Sequence, residues 1–396
     1  MGTPHSLPTV EAMRVAIVTE SFLPTVNGVT NSVCKVLDHL AREGHDAIVI
    51  CPAAHAPSHY RGFPVFEVPA ARYRSFPVGL PNLLVQRLIA QFEPDVVHAA
   101  SPFFLGAQAI AAANRLGVPS VAIFQTDMAG YAKRNHLGPA TKLTWKFVKW
   151  VHEGANLTLV PSSASMDDLQ SIGVPRLKRW ARGVDLEAFH PNNRSRPSAA
   201  EIRERLRPNG DEVVVGYVGR LAPEKQVERL AELRGVPGIH LAVVGDGPSE
   251  ASVARATDGM PVTFLGRLGG EALSDAYAAF DLFLHTGTEE TFGQTLQEAH
   301  AAGLPVVAPR AGGPIDLVAD GTDGYLYDPA DPSELRQLVE DLVASETLRL
   351  RFGEAGRRAV LGRTWTNVCD ELVKHYESVI GVPRLEPTAQ RRVRLS

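Results

Sequence analysis

Cysteine is scarce in this 396-residue chain. Cys34, Cys51 and Cys369 lie far apart and show no C-x-x-C spacing. Three widely spaced cysteines, a small and uneven number, argue against a disulfide framework or a zinc site and suit a reducing compartment. The sequence also lacks any stretch near the roughly 18 uninterrupted apolar residues of a membrane span. The first dozen residues have no apolar signal-peptide core. By elimination, we expect a cytoplasmic protein.

A strong charge of one sign is missing too. The chain has 40 basic and 44 acidic side chains, a formal net charge of −4, so no overall basic field favours nucleic acid as a partner. Hydrophobic residues make up 44% and charged residues 21%, as in ordinary soluble globular proteins. The length is natural for two domains.

Short β-branched runs alternate with helical patterns along most of the chain. Continuous apolar strands that alternate with helices predict parallel sheets covered on both faces, hence doubly wound α/β domains. The predicted strands of the first half are 14–18, 47–51, 95–99, 120–124 and 157–161, and its helices are 29–43, 82–92, 105–116 and 139–153. A second series of strands follows at 213–219, 240–245, 262–266, 282–286, 305–309 and 324–328.

A polar segment rich in proline and asparagine, residues 189–211, separates the two series and is the best candidate for a linker. The sequence therefore predicts an N-terminal domain over 13–188 and a C-terminal domain over 212–363. A last helix, about 364–380, is expected to cross back to the first domain. Residues 1–12 and the basic segment 381–396 are expected to be flexible tails.

Doubly wound sheets bind ligands beyond the carboxyl ends of their strands. In the second domain, "GYVGRLAPEKQ" places Gly219, Arg220 and Lys225 after the first strand. A guanidinium and an ammonium suit a diphosphate, although solvated surface charges are the alternative.

Two further glycine-containing loops follow the next strands. "VVGDGP" contains Gly245 and Gly247, but Glu250 stands where a dinucleotide fingerprint has its third glycine, which argues against an NAD enzyme. The loop is either a tight turn or a place where a nucleotide approaches the backbone. "FLGRLGG" places Arg267 and Leu268 where backbone groups can bond a base edge.

The stretch "TEETFGQTLQEAHAAG" places Glu290 before a predicted helix and Glu298 two turns into it. Helix N-termini attract phosphate. Eight helical positions rise about 12 Å, whereas carboxyl pairs that act on one glycosidic bond lie about 5–9.5 Å apart. We therefore expect the two glutamates to hydrogen-bond opposite ends of a long ligand. A surface glutamate and an unrelated helix glutamate are the alternative.

The blocks "GRLAPEKQ", "VVGDGP", "FLGRL" and "EETFGQTLQEAHAAGLPVVAPRAGGPIDLVADGTDGYL" resemble, in this order, the donor domain of the retaining glycosyltransferase family 4. The resemblance covers about residues 13–380. It implies the GT-B fold, two Rossmann-like doubly wound domains facing each other across a cleft.

The resemblance also implies roles for single residues. Arg220 and Lys225 would hold the donor diphosphate, Glu290 the sugar hydroxyls and Glu298 the ribose. Backbone N–H groups around Phe292, Gly293, Gln294 and Thr295 would bind sugar and phosphate. From their positions in loops after strands or at a helix start, Gly28, Gly219, Gly245, Gly247, Arg267 and Leu268 are further donor-binding candidates.

The first domain fits the same family but departs from it at one motif. "FQTDMAGYA" has Gln125, Thr126 and Asp127 where many relatives have a histidine at the reaction centre. Asp127 is a candidate sugar or acceptor ligand, helix cap or general base. Asn27 and Gly28 begin a helix whose N–H groups can touch phosphate or acceptor, or form a structural turn. Tyr73, Gln125 and Tyr131 are further acceptor-binding candidates.

The predicted helix 139–153 carries Lys142, Lys146 and Lys149 on one face. A basic face can lie on anionic lipid headgroups, and a plain solvated face is the alternative. The sequence predicts the opposite face as an apolar stripe formed by Leu143, Phe147, Trp150 and Val151.

Within the family, "TESFLPTVNGVTNSV", "FQTDMAGYA" and "HTGTEETFGQTLQEA" look most like the actinobacterial GDP-mannose-dependent α-mannosyltransferases of glycolipid and lipomannan synthesis in the cell envelope. Glucosyl- and sulfoquinovosyltransferases that use UDP-sugars are similar. The implied activity is retaining transfer of a hexose to a glycolipid or glycan hydroxyl. We expect a cytoplasmic protein, with a peripheral position on the inner face of the membrane as an open alternative.

No Asp-x-Asp motif is present, so we expect neither metal nor cofactor. Arg220, Lys225, Asp127 and Glu290 are the candidate catalytic residues, with the leaving diphosphate assisting front-face attack. Two other classes stay open. A sugar-nucleotide 2-epimerase would turn over without an acceptor, and a non-catalytic binder would release no nucleoside diphosphate.

Overall fold

A computed structural model describes residues 12–73, 76–79, 82–125 and 138–381 of the chain. They form two compact units. Unit 1 comprises the described residues within Met1–Val160, Met166–Trp180 and Cys369–Ser396, and unit 2 comprises Pro161–Ser165 and Ala181–Val368.

Unit 1 contains an eight-stranded sheet in the order β10-β9-β8-β7-β1-β2-β4-β3, in which only β3 and β4 pair antiparallel. Strands β5 and β6 form a separate antiparallel hairpin. The strands are β1 (Arg14–Thr19), β2 (Asp46–Pro52), β3 (His59–Tyr60), β4 (Phe63–Val68), β5 (Ala70–Tyr73), β6 (Phe76–Gly79), β7 (Val96–Ala100), β8 (Ser120–Ile123), β9 (Leu157–Val160) and β10 (Leu177–Arg179).

The five strands predicted for the first half are confirmed as β1, β2, β7, β8 and β9, each an almost continuous buried apolar run. Strands β3 to β6 and β10 were not predicted, since none is a continuous apolar run. Strands β3 and β10 are short edge strands, β5 and β6 form a hairpin, and β4 is half-buried and contains Pro64 and Glu67. Helices in this part of the chain are α1 (Gly28–Arg42), α2 (Leu84–Phe92), α3 (Phe104–Leu116), α4 (Gly138–Glu153) and α5 (Ser163–Ser171).

Unit 2 contains a six-stranded parallel sheet in the order β13-β12-β11-β14-β15-β16. All six predicted strands of the second half are confirmed: β11 (Val213–Val218), β12 (Ile239–Val244), β13 (Val262–Gly266), β14 (Leu282–Leu284), β15 (Val306–Pro309) and β16 (Gly324–Tyr327).

Helices cover both faces of this sheet, because successive side chains of a strand point to opposite sides. Val214 and Val218 of β11 pack into one apolar core, whereas Val215 and Tyr217 pack into another. The helices are α6 (Pro197–Leu206), α7 (Glu250–Ala256), α8 (Gly270–Ala279), α9 (Gln294–Ala301), α10 (Pro314–Leu317), α11 (Pro332–Ala344) and α12 (Glu346–Val360), with 3₁₀ turns at Pro191–Ser195, Pro223–Lys225 and Val227–Leu233.

The polar segment 189–211 lies inside unit 2. Its buried Asn193 donates from Nδ2 to Oγ of Ser274 at 2.8 Å, and Arg203 binds Asp281 at 2.9 Å. The segment, with its prolines and asparagines, forms the 3₁₀ turn Pro191–Ser195 and helix α6, and both pack against α8.

The last helix, α13 (Trp365–Glu377), begins in unit 2, and from Cys369 onward it belongs to unit 1. Tyr376 is fully buried in unit 1, where its hydroxyl lies 2.5 Å from Nδ1 of His98.

Helix α4 differs from its prediction in the orientation of its apolar residues. Val148 and Val151 are buried, but Leu143 is 68% and Trp150 59% exposed. The apolar stripe predicted for one face is therefore wrong in part. Leu143 and Trp150 share the exposed surface with Lys142 and Lys146, because only the face around Val148 and Val151 meets the core. No helix among the described residues is both long and apolar enough to cross a membrane.

Candidate functional site

The strand order of unit 2 reverses between β11 and β14. From β11 the sheet continues to β12 and β13 on one side, and from β14 to β15 and β16 on the other. Loops that leave such a pair at the carboxyl ends diverge and open a crevice, the usual ligand position in doubly wound sheets. The loop 219–226 follows β11 and the loop 285–293 follows β14. Six of the predicted site residues therefore lie at this switch point: Gly219, Arg220, Lys225, Glu290, Phe292 and Gly293.

Side-chain hydrogen bonds join these two loops. Oγ1 of Thr286 donates to the carbonyl of Lys225 at 2.6 Å, and Nε2 of Gln226 donates to Oγ1 of Thr288 at 2.7 Å. Nζ of Lys225 then lies 2.5 Å from Oε2 of Glu290. Two predicted residues 65 positions apart thus form one ion pair, largely shielded from solvent, with side-chain exposures of 24% and 16%.

This pair determines the charge of Glu290. Burial favours the neutral carboxyl, but Lys225, His285 and the N–H of Phe292 outweigh it and lower the pKa of Glu290 to about 2. Burial lowers the pKa of His285 to about 4. At neutral pH the imidazole is therefore uncharged, and Lys225 supplies the positive charge. An ionised Glu290 can accept hydrogen bonds from hydroxyl groups but has no proton to donate.

Helix α9 begins beside Glu290 with an open N-terminus. Its N-cap is Gly293, in the left-handed region at φ 101°, with no side chain to bond the first N–H groups. Gln294 turns its Nε2 away to the carbonyl of Gly183 at 3.1 Å. The first turn of α9 is therefore suited to an anion supplied by a ligand.

The backbone before α9 is fixed by two glycines of the loop after β15. The N–H of Gly313 donates to the carbonyl of Glu290 at 2.7 Å. A Cβ at Gly312 would lie 2.6 Å from the same carbonyl oxygen, and one at Gly313 would lie 2.3 Å from that of Phe292. This close approach explains the Gly-Gly pair in the "PRAGGP" sequence.

Glu298 lies further along α9, where Tyr277 of α8 contacts it. The Tyr277 hydroxyl donates to Oε2 of Glu298 at 2.9 Å, and the tyrosine is fully buried. Burial raises the pKa of Glu298 to about 7, although the bonds from Tyr277 and Gln294 favour the carboxylate. Glu290 and Glu298 therefore have opposite protonation tendencies, since only Glu290 has a cation beside it.

The glycines of "VVGDGP" have a clear packing role. Gly245 and Gly247 have φ of 137° and 153°. A Cβ at Gly245 would lie 1.9 Å from the carbonyl oxygen of Gly219, and one at Gly247 would lie 2.2 Å from that of Leu221. The loops after β11 and β12 therefore interlock, and this contact alone requires glycine at both positions.

Arg220 and Arg267 both have exposed side chains at the carboxyl ends of their strands. Among the described residues, no acidic side chain pairs with Arg220. Leu268 is half-buried and packs against the core of unit 2.

The predicted residues of unit 1 have their own environments. Asn27 caps α1, and its Oδ1 accepts from the N–H groups of Val29 and Thr30, each at 3.0 Å. Gly28 is the first residue of that helix. Gln125 is buried just after β8. Tyr73 ends β5, and Asp127 and Tyr131 lie outside the described residues.

Three residues of unit 2 near this site were not predicted. His285 lies 3.9 Å from Glu290, Tyr277 contacts Glu298, and Arg182 interacts electrostatically with Glu290. The position of His285 directly after a strand was an available signal. Tyr277 and Arg182 meet the site only through tertiary packing. The described residues contain no cluster of three or more metal-ligating side chains.

Comparisons with known proteins point to one family. The sequence model of the protein family Glycosyltransferase Family 4 matches residues 26–188. That of the family Glycosyl transferases group 1 matches residues 198–359. A GDP-mannose-dependent alpha-mannosyltransferase of Corynebacterium glutamicum is 44% identical over 96% of this chain and 92% of its own length. A protein of the same description from Mycolicibacterium smegmatis is 46% identical over 93% and 98%.

The fold has solved counterparts. The sucrose-phosphate synthase structure from Thermosynechococcus elongatus superimposes with a TM-score of 0.76 at 20% identity, covering 92% of this chain and 98% of that one. At this identity the likeness concerns the fold.

Proposed function

Because this chain belongs to glycosyltransferase family 4 and has the GT-B fold, we propose that it moves α-mannose from GDP-mannose to a hydroxyl group of a glycolipid or glycan, with retention of configuration. The identity of 44–46% to GDP-mannose-dependent alpha-mannosyltransferases over more than nine-tenths of the chain supports this donor. The acceptor class follows from the sequence resemblance.

The ion pair between Lys225 and Glu290 at the open start of α9 is the observation that carries the proposal. A sugar diphosphate has an anionic part and a part rich in hydroxyl groups. Lys225 and the first N–H groups of α9 match the anionic part, and the ionised Glu290 matches the hydroxyl groups. Glu298 would bind the ribose hydroxyls, held by Tyr277.

In the proposed reaction the sugar leaves the diphosphate on the face that the acceptor attacks. The bond from C1 to the diphosphate breaks, the bond from C1 to the acceptor oxygen forms, and a diphosphate oxygen takes the acceptor proton. Arg220, Lys225 and the start of α9 stabilise the charge that develops on the diphosphate, which is preorganised electrostatic catalysis. Glu290 orients the sugar.

The donor is tested by thermal shift with GDP-, UDP- and ADP-sugars. We expect GDP-mannose to raise the melting temperature most, since binding to the native state alone stabilises it. Preferential stabilisation by UDP-glucose would contradict the mannose donor. Product formed from GDP-mannose without an acceptor would instead indicate an epimerase.

We also propose that transfer needs no added metal, since protein groups supply the positive charge. Prolonged dialysis against EDTA should leave turnover within about twofold of the untreated protein. Loss of activity on dialysis, with recovery on adding Mg²⁺ or Mn²⁺, would overturn this point.

We propose further that unit 1 contacts an anionic membrane surface. Leu143, Trp150 and Phe104 are 68%, 59% and 44% exposed, and Lys142 and Lys146 are exposed on the same helix as the first two. Exposed apolar and basic side chains together suit an interfacial position.

Vesicle flotation tests this contact. The protein should float with phosphatidylglycerol vesicles and less with phosphatidylcholine vesicles, and the double variant Lys142→Glu with Lys146→Glu should lose most of that binding. Leu350→Ala is the control, because Leu350 is equally exposed, at 63%, on α12 of unit 2. Equal flotation of the charge-reversed and native proteins would refute the proposal.

A further inference from the structure

His285 is a buried histidine whose ring atoms the reaction proposed above does not use. It directly follows β14 and is 2% exposed. Its backbone is held at both ends, since its N–H donates to the carbonyl of Val307 at 2.8 Å and its carbonyl accepts from the Tyr327 hydroxyl at 3.4 Å. The ring is therefore presented from a rigid part of the sheet.

Neither ring nitrogen of His285 makes a hydrogen bond of ordinary geometry among the described residues, and its only nearby backbone acceptor is that of Gly287, which favours the protonated ring. Buried polar atoms are nearly always paired, so an unpaired imidazole in a native protein needs an explanation. A residue held for packing alone would not have to be a histidine, because an apolar ring avoids the loss of hydration.

The nearest charged group is the functional ion pair. Nε2 of His285 lies 3.9 Å from Oε2 of Glu290, the same oxygen that Nζ of Lys225 contacts at 2.5 Å. A separation of 3.9 Å is too long for a hydrogen bond, but a shift of about 1 Å would form one. The neutral imidazole carries one N–H and can donate it from Nε2.

Donor binding would change the partners of Glu290. In the proposed function Lys225 turns toward the diphosphate, and its short contact with Oε2 of Glu290 lengthens. Glu290 would then be a buried carboxylate that has lost its strongest donor, which is unfavourable unless another donor replaces it.

We propose that His285 is a positioning residue for Glu290. Its Nε2–H donates to Oε2 when the ammonium of Lys225 turns to the diphosphate of the bound donor, so that Glu290 keeps its orientation toward the sugar. This inference rests on the proposed function, since it requires a donor with both a diphosphate and a sugar.

The test is calorimetric titration of the full-length protein with GDP and with GDP-mannose. His285→Phe keeps a planar ring but removes the N–H, and His285→Gln keeps an amide N–H near the position of Nε2. We expect His285→Phe to raise the Kd of GDP-mannose about tenfold and to leave the Kd of GDP within about twofold. His285→Gln should recover most of the GDP-mannose affinity.

His240→Phe is the matched control. His240 is buried at the amino end of β12, and its Nε2 is paired with Oγ1 of Thr263 at 2.8 Å. The control should keep the native ratio of the two Kd values. The proposal is overturned if His285→Phe keeps that ratio as well, if it weakens both ligands equally, or if glutamine fails to recover GDP-mannose binding.

A second measurement needs no folded variant. ¹⁵N-histidine NMR of the native protein must show the His285 proton on Nε2, and a proton on Nδ1 would overturn the proposal. Failure of the proposed function is a separate result, because the native protein would then bind neither GDP nor GDP-mannose. The tautomer measurement would still decide whether Nε2 can donate to Glu290.

Discussion

Both units carry a carboxylate at the switch point of their sheet, and the two carboxylates have different partners. In unit 1, Glu20 follows β1, whose neighbours in the sheet are β2 and β7. Its Oε1 accepts N–H bonds of 2.7–3.0 Å at the start of α3, from Phe103, Leu105 and Gly106. In unit 2, Glu290 binds Lys225 instead, and the start of α9 has no side-chain cap.

The difference separates a structural helix start from one suited to a ligand. The N-terminus of α3 already has its anion, a side chain of the same unit, so the favourable interaction with the helix dipole contributes to folding. The N-terminus of α9 has a glycine cap, so the same interaction is available to an anionic ligand. Equivalent topology thus serves stability in one unit and binding in the other.

The protonation tendencies of the two carboxyls differ in the same way. Burial raises the pKa of Glu20 despite its three backbone donors. For Glu290, burial acts in the same direction, but the ammonium of Lys225 reverses the outcome. A full positive charge therefore distinguishes the candidate binding site from the structural contact.

Removal of Lys225 should have the largest effect. Lys225→Ala takes one of the cations from the diphosphate and leaves Glu290 buried without its counter-ion. We expect turnover to fall about 10²–10³-fold in a steady-state assay, the usual loss for one preorganised donor.

The double variant Lys225→Ala with Glu290→Gln should melt at a higher temperature than Lys225→Ala alone, since no unpaired carboxylate remains buried. Arg358→Ala is the control, because Arg358 and Glu354 form an exposed pair at 3.7 Å. Near-normal turnover of Lys225→Ala, or of Glu290→Gln, would refute the assignment of this pair to the site.

Removal of Glu20 should affect stability without affecting the donor. Glu20→Ala leaves three N–H groups at the start of α3 without an acceptor, and we expect denaturant unfolding to show a loss of roughly 1–3 kcal/mol. The Kd of GDP should stay within about twofold of the native value. Glu43→Ala, at an exposed position, is the control. A selective loss of GDP binding by folded Glu20→Ala would remove the distinction between the two units.

Substitution of Glu298 should have a smaller effect. It should weaken GDP binding and, above neutral pH, raise the melting temperature. Glu298→Gln should weaken GDP binding about tenfold, as expected for a lost charged hydrogen bond. The folded pKa of Glu298, about 7, lies above the ordinary value of 4.5. Its contribution to stability is therefore present at low pH and is lost as the pH rises through 7.

Since glutamine does not titrate, Glu298→Gln should gain more in melting temperature relative to the native protein at pH 8, above the folded pKa, than below pH 4.5, where the contribution of Glu298 is fully present. Parallel melting curves of the two proteins across this range would contradict the raised pKa. A GDP affinity equal to that of the native protein would contradict the ribose contact.

Much of the fold could be predicted because its strands are buried on both faces. A run such as residues 213–218 must be apolar at every position, so it stands out without structural information. The edge strands and the hairpin β5–β6 could not be predicted, since half-exposed short strands lack that pattern. Helix α4 could be predicted as a helix, but the exposure of Leu143 and Trp150 depended on which face meets the core.

The candidate site divides in the same way. Arg220, Lys225, Glu290 and the start of α9 could be proposed from their positions after strands and from the family resemblance. The hydrogen bonds that hold Lys225 against Glu290 could not, because they involve Thr286, Thr288 and Gln226, which have no distinctive pattern.

By itself, the sequence determined the two doubly wound units, the family, and the two glutamates separated by seven residues, since these depend on local periodicity and spacing. Only the tertiary structure decided which charges meet. The closing of the loops after β11 and β14 on each other pairs Lys225 with Glu290, and the packing of α8 against α9 gives Glu298 a tyrosine and no cation. Interactions between residues 21 to 65 positions apart depend on the strand order and leave no periodic signal in the chain.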